Sequence, residues 1–136
     1  MRELPENFRK RATHYFSEYA RAEAGAEAWK SGDLEKYGHL IFQSGRSSIE
    51  NYECGCPELI TLYEIMTQTD GIYGGRFSGA GFKGCCMALV NPEKEEDVLR
   101  TVEEQYLAIY PQLKGKYLGT SCSSADGVNL SGGFRR

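Results

Sequence analysis

Residues 74–86 run Gly-Gly-Arg-Phe-Ser-Gly-Ala-Gly-Phe-Lys-Gly-Cys-Cys. Between two apolar runs, the chain here offers backbone rather than long side chains. Glycine tolerates positive φ and admits the close approach of a ligand or a second backbone. Successive amides in such a turn form a concave site that suits a phosphate. The same composition also serves a tight turn between two core strands. Ser78, Gly79, Ala80, Gly81, Phe82, Lys83 and Gly84 are therefore the candidate site residues. Lys83 attracts an anion if it faces the loop's ligand and is a solvated turn residue otherwise. Arg76, one face removed on the preceding strand, reads as a structural ion-pair residue.

Other groups carry less chemistry. Neither His14 nor His39 stands in a recognisable nucleophile signature, and His14 reads as a hydrogen-bonded structural residue. Glu53 and Glu58 are spaced for an acid–base pair, but carboxylates near a helix start more commonly cap it. The five cysteines are an odd number, arranged as Cys54-x-Cys56, Cys85-Cys86 and Cys122. That count argues against a secreted disulfide framework, and the spacing lacks the paired knuckles of structural zinc. Cys85 and Cys86, in the run Cys-Cys-Met-Ala-Leu-Val, read as buried thiols. No metal site is expected.

The elements that must position the loop follow from periodicity. Residues 10–17 alternate as a strand would, yet equally suit the first turns of the helix after them. From Glu18 to Lys30, Tyr19, Ala22, Ala26 and Trp29 share a helical face. Gly32 then ends the helix, and Asp33 caps a second helix carrying Leu34, Tyr37 and Ile41 inward. Pro57 opens a third helix with a stripe of Leu59, Leu62, Tyr63 and Met66. Residues 72–78 and 85–90 read as strands on either side of the glycine-rich turn, the second of them buried. Asn91-Pro92 opens a fourth helix striped by Leu99, Val102, Tyr106 and Ile109, with acids in its first turns. Residues 117–123 read as a last strand, followed by an Asp126-Gly127 turn. Taking the first segment as a strand, the order is β-α-α-α-β-β-α-β. This is an α+β fold: a ferredoxin-like split βαβ sheet with additional helices.

The 136 residues make one domain, expected over residues 1–130 with a frayed tail at 131–136. An apolar share of 40% and a charged share of 26% are those of an ordinary globular chain. A net charge of −3 argues against nonspecific nucleic-acid binding. There is no apolar run of about twenty residues to span a membrane and no apolar signal core at the N-terminus. A cytoplasmic location is expected.

The segment 74–85 resembles the third signature motif of the GHMP small-molecule kinases, in its galactokinase form. Arg11-Ala12-Thr13-His14 with Glu18 resembles the opening of the galactokinase C-terminal half. Ser47-Ser48-Ile49-Glu50-Asn51-Tyr52-Glu53-Cys54-Gly55-Cys56-Pro57-Glu58-Leu59 resembles that family's Tyr-Glu segment followed by Pro-Glu-Leu. The likeness runs from about Leu4 to about Leu130. The Asn51–Gly55 wording and Lys83, where galactokinases usually carry glycine, look more like the galacturonokinase branch. The family's Gly-Glu-His-x-Asp sugar motif, Gly-Leu-Ser-Ser-Ser-Ala ATP loop and catalytic Asp are absent. Ser121-Cys122-Ser123-Ser124-Ala125 imitates the ATP loop only loosely and lies at the wrong end.

The resemblance thus implies the C-terminal half of a sugar 1-kinase for galactose or galacturonate. This half would supply the glycine-rich cleft loop and no catalytic residue. ATP and Mg²⁺ would bind the intact enzyme and neither is expected on this chain alone. Its expected partners are the N-terminal kinase half, the sugar and a second copy of itself in a homodimer. A noncatalytic small-molecule-binding or regulatory domain is the alternative, since fold does not fix function.

Overall fold

The computed structural model describes residues 4–127. The expected segment 128–130 and the tail 131–136 lie outside them. Four helices and one hairpin follow in the order α1 (Glu6–Lys30), α2 (Leu34–Glu50), α3 (Pro57–Gln68), β1 (Ile72–Phe77), β2 (Cys86–Val90) and α4 (Glu95–Ile109), with short 3₁₀ turns at Pro92–Lys94 and Pro111–Leu113. The helix boundaries carry their expected chemistry. Asp33 accepts the Lys36 amide at 3.0 Å, Gly32 takes φ 74°, and Pro57 occupies the first turn of α3. Asn91 caps the 3₁₀ turn, so α4 starts at Glu95 rather than at Pro92.

The fold is α+β, with helices around a small antiparallel sheet. Among the described residues that sheet has two strands, β1 paired antiparallel with β2. Gly74 faces Leu89 and Phe77 faces Cys86, with an irregularity between Ile72 and Gly74. Residues 10–17, open between strand and helix, belong to α1. Alanines at 12, 20, 22, 24, 26 and 28 favour helix throughout, and one continuous helix needs only one nucleation. Residues 117–123, expected as a strand, form none. Only Tyr117 is anchored there, its ring 5.5 Å from Tyr106, while Leu118 is 85% exposed.

Two apolar clusters meet across α3. On one side Leu59, Tyr63 and Met66 pack with Phe77 of β1. On the other Ile65 packs with Val98, Val102 and Tyr106 of α4. The buried α4 stripe is therefore shifted from Leu99 to Val98, and Ile109 is exposed. The Tyr63 hydroxyl donates to the Phe42 carbonyl of α2 at 2.7 Å, which joins α3 to α2 through a satisfied buried polar group.

Helix α2 lies almost backbone to backbone on β1. A Cβ added at Gly38 would meet the Tyr73 carbonyl, and one added at Gly74 would meet Gly38 itself. No other residue type fits that approach. Strand β2, expected to be buried, exposes Met87 and Ala88 and only half-buries Cys86, Leu89 and Val90.

Helix α1 packs in an unexpected sense. The residues turned toward α2 are His14, Glu18, Arg21, Gly25 and Ala28, a largely polar stripe at spacings of three and four. The expected apolar face is solvent-facing: Tyr19 is 63% and Trp29 57% exposed.

Candidate functional site

The hairpin delivers residues 78–84 to its tip. The Ser78 amide donates to the Cys85 carbonyl at 2.9 Å and closes the base of the loop. Beyond that bond Gly79, Gly81 and Gly84 all take positive φ, of 84°, 76° and 117°. Repeated left-handed glycines turn consecutive N–H groups toward one side. Among the described residues, no amide from Gly79 to Gly84 donates to a protein acceptor. Gly79, Ala80, Phe82, Lys83 and Gly84 are exposed, Ser78 is half-buried and Gly81 is buried. Phe82 is 60% exposed, so an apolar ring stands at the rim. The loop thus carries amides without a protein acceptor, together with the Ser78 hydroxyl and the Lys83 ammonium.

Beside the loop the other sequence-selected residues converge. Arg11, His14 and Glu18 of α1 meet Ser44, Ser47, Asn51, Tyr52 and Glu53 at the end of α2. His14 Nδ1 and Ser47 Oγ share a hydrogen bond at 3.0 Å, and the His14 ring lies 5.0 Å from that of Tyr52. His14 is therefore hydrogen-bonded across α1 and α2. Glu53 accepts Lys10 Nζ at 2.7 Å and Arg11 Nη2 at 2.8 Å. Hydrogen bonds from Lys10 and Arg11 hold its carboxyl below the usual carboxylate range. It makes no acid–base pair with Glu58, which sits in the first turn of α3.

Arg76 is an ion-pair residue, as its strand position implied. Its Nη1 reaches Glu18 Oε2 at 3.4 Å and also Ser44 Oγ. Burial pushes the Glu18 pKa up, but donation from Ser44 and Arg21 and the charges of Arg21 and Arg76 outweigh it, so the pKa is lowered. This network floors an open cleft of about 680 Å³ between α1, α2 and β2, lined also by Trp29, Tyr37 and Met87. Residues 78–84 do not line it.

Sequence reasoning missed Lys10, Arg21 and Ser44. The signal available for Arg21 and Ser44 was the polar stripe of α1, where His14 meets the Ser47 hydroxyl, Glu18 accepts from the Ser44 hydroxyl, and Arg21 pairs with Glu18. The thiols also differ from expectation. All five are free; Cys54 is buried, Cys56 and Cys86 are half-buried, and Cys85 and Cys122 are exposed. Cys85 faces out because it closes the hairpin rather than entering the ladder.

The family model "GHMP kinases C terminal" matches residues 22–108. The chain belongs to the GHMP kinase family, as its C-terminal domain. It is 51% identical over 132 residues to galacturonokinase of Arabidopsis thaliana, covering 94% of this chain and 31% of that protein. It is 38% identical over 101 residues to galactokinase of Homo sapiens, covering 74% of this chain and 26% of that protein. The crystal structure of Lactococcus lactis galactokinase complexed with galactose superposes with a TM-score of 0.74 at 34% identity, over 79% of this chain and 28% of that one. The chain thus spans between about a quarter and a third of these relatives. No helix among the described residues is long and apolar enough to cross a membrane.

Proposed function

We propose that this domain completes a sugar 1-kinase that moves the γ-phosphoryl group of ATP to the anomeric hydroxyl of galacturonate, with galactose the second choice. The observation that carries the reading is the loop: three left-handed glycines and a run of unpaired amides beside Lys83. Phosphoryl transfer depends mostly on positioning and on stabilising charge spread over the phosphoryl oxygens, for which backbone amides suffice. The galacturonokinase relative, at 51% identity against 38% for galactokinase, favours the uronate.

The residues present fit the phosphate part of MgATP. Amides of Gly79 to Gly84 and the Ser78 hydroxyl would hold phosphoryl oxygens, and the exposed Phe82 ring would shield them from water. The metal would neutralise phosphate charge when bound. Its ligands do not come from Glu53 or Glu18, whose carboxylates are already held by Lys10, Arg11, Arg21 and Arg76. The phosphoryl acceptor's activation falls to the rest of the enzyme. Lys83 would pair with the uronate carboxylate, a group that galactose lacks.

The test joins this chain to an N-terminal kinase half and compares sugars. A charge-assisted hydrogen bond contributes roughly 1.5–3 kcal/mol, so Lys83→Gly should lower kcat/KM for galacturonate about tenfold to a hundredfold and spare galactose. Equal losses on both sugars assign Lys83 to phosphate. No loss on either removes the uronate assignment.

A further inference from the structure

The loop is fastened from beneath by residues 51–56, the turn after α2. Phe77, at the end of β1, is only 2% exposed. Its ring is clamped between two glycines: a Cβ added at Gly55 or at Gly81 would come within 3.0 Å of a ring carbon. The Cys56 amide donates to the Gly81 carbonyl at 2.7 Å. The turn and the loop therefore share one aromatic ring and one backbone hydrogen bond, and a shift of either moves the other.

The turn is tied in its own right to α1. Glu53 takes φ 58° and is the one non-glycine residue with positive φ among the described residues. L side chains disfavour that region, so something must hold Glu53 there. Both of its oxygens are engaged, one by Lys10 and one by Arg11. Arg11 also donates through Nη1 to the Asn51 carbonyl and lies 5.5 Å from the centre of the Tyr52 ring. A single guanidinium thus binds the turn at three successive residues.

We propose that Glu53, gripped by Lys10 and Arg11, is a positioning residue that latches the 51–56 turn to α1 and so sets the placement of the glycine-rich loop. Its catalytic consequence rests on the kinase reading above; its structural consequence does not. The ion pairs are surface-exposed, and such pairs contribute little to global stability. The effect of breaking them is therefore local to the loop, which separates a latch from an ordinary stabilising contact.

Amide exchange measured by NMR on this chain tests the latch directly. Two amides report on it: Cys56, bonded to Gly81, and Ser78, bonded to Cys85 at the loop base. Glu53→Gln removes the charge, while Glu53→Gly removes the carboxylate and also the backbone strain. Both should speed exchange at Cys56 and Ser78 roughly threefold to tenfold and leave the α3 and α4 amides unchanged, as local opening requires. Glu53→Asp, which keeps a carboxylate and tolerates positive φ, should recover part of the protection. Unchanged exchange in both Gln and Gly variants overturns the latch. In the joined kinase, Glu53→Gln should lower kcat with little change in sugar KM; an unchanged kcat overturns the catalytic consequence. A joined wild-type protein with no kinase activity would sink the kinase reading alone, because the exchange measurement still decides the latch.

Discussion

Cys86 and its neighbour Cys85 show how one position along a strand separates two thiols. Burial, with the nearby Cys85 and Cys56 thiols adding to it, pushes the Cys86 pKa up to about 12. A thiol that scarcely ionises is a poor nucleophile. Cys85, one residue earlier, is exposed at the hairpin base. Alkylation with iodoacetamide at pH 8, followed by peptide mass spectrometry, should label Cys85 and Cys122 well before Cys86 and Cys54. Equal rates at Cys85 and Cys86 would mean that β2 does not hold its register with β1. At this scale the sequence was legible where a residue's role depends on its immediate neighbours, as with Asp33, Pro57 and the glycines at 79, 81 and 84. The thiols were misjudged because an apolar run says nothing about which of its faces is covered. Glu53 was equally illegible, since its partners Lys10 and Arg11 lie some forty residues earlier.

Elements pack here through two devices that hydrophobic periodicity does not reveal. One is the backbone contact of α2 with β1 at Gly38 and Gly74. A methyl group there must push apart two elements rather than bend a flexible side chain. Gly38→Ala should therefore cost roughly 1–3 kcal/mol or more, read as a lowered denaturant midpoint with an unchanged slope. A neutral effect would show that α2 does not approach β1 so closely. The other device is the polar stripe of α1. A helix reader looks for an apolar stripe and finds the aromatics, which point outward; the face that packs carries His14, Glu18 and Arg21. The cost of burying these groups is met by pairing every one of them. At residues 10–17 the choice between strand and helix stayed open in the sequence, because that segment alternates like a strand yet runs directly into the helix after it. The stripe also predicts a pH response. Because the Glu18 pKa is lowered in the fold, its stabilisation is complete above the ordinary glutamate value near 4.5 and is lost as pH falls through the folded value. Glu18→Gln should lower stability at neutral pH by roughly 1–2 kcal/mol and flatten the acid limb of the stability profile. A parallel acid limb in the variant would assign the pH response to other carboxylates.

Taken whole, the molecule has a well-filled centre about α3 and an outer layer that is not covered. On α1, Phe8, Tyr15, Phe16 and Tyr19 are each at least 60% exposed, and Met87 on β2 is 59% exposed. Single exposed apolar residues are ordinary, but several aromatics along one helix make a patch of the kind that associates. The sequence anticipated a second copy as partner, but it put Tyr19 and Trp29 on the packing stripe of α1, where polar residues pack instead. The galacturonokinase relative has about two-thirds of its length beyond the region matched here, ample material to cover such a face. Without that cover the chain should self-associate through α1, most simply as a symmetric pair in which one copy's aromatics meet the other's. Sedimentation should then show an average mass rising above 15.2 kDa as concentration rises. Replacing Tyr15 and Tyr19 together by lysine should return it to a monomer without unfolding it, because neither ring belongs to the packed core. Joining the N-terminal half should have the same effect as the double substitution, since both remove the exposed face. A wild-type chain that stays monomeric at high concentration would show that these aromatics are tolerated in water, and the α1 face would lose its claim to be an interface.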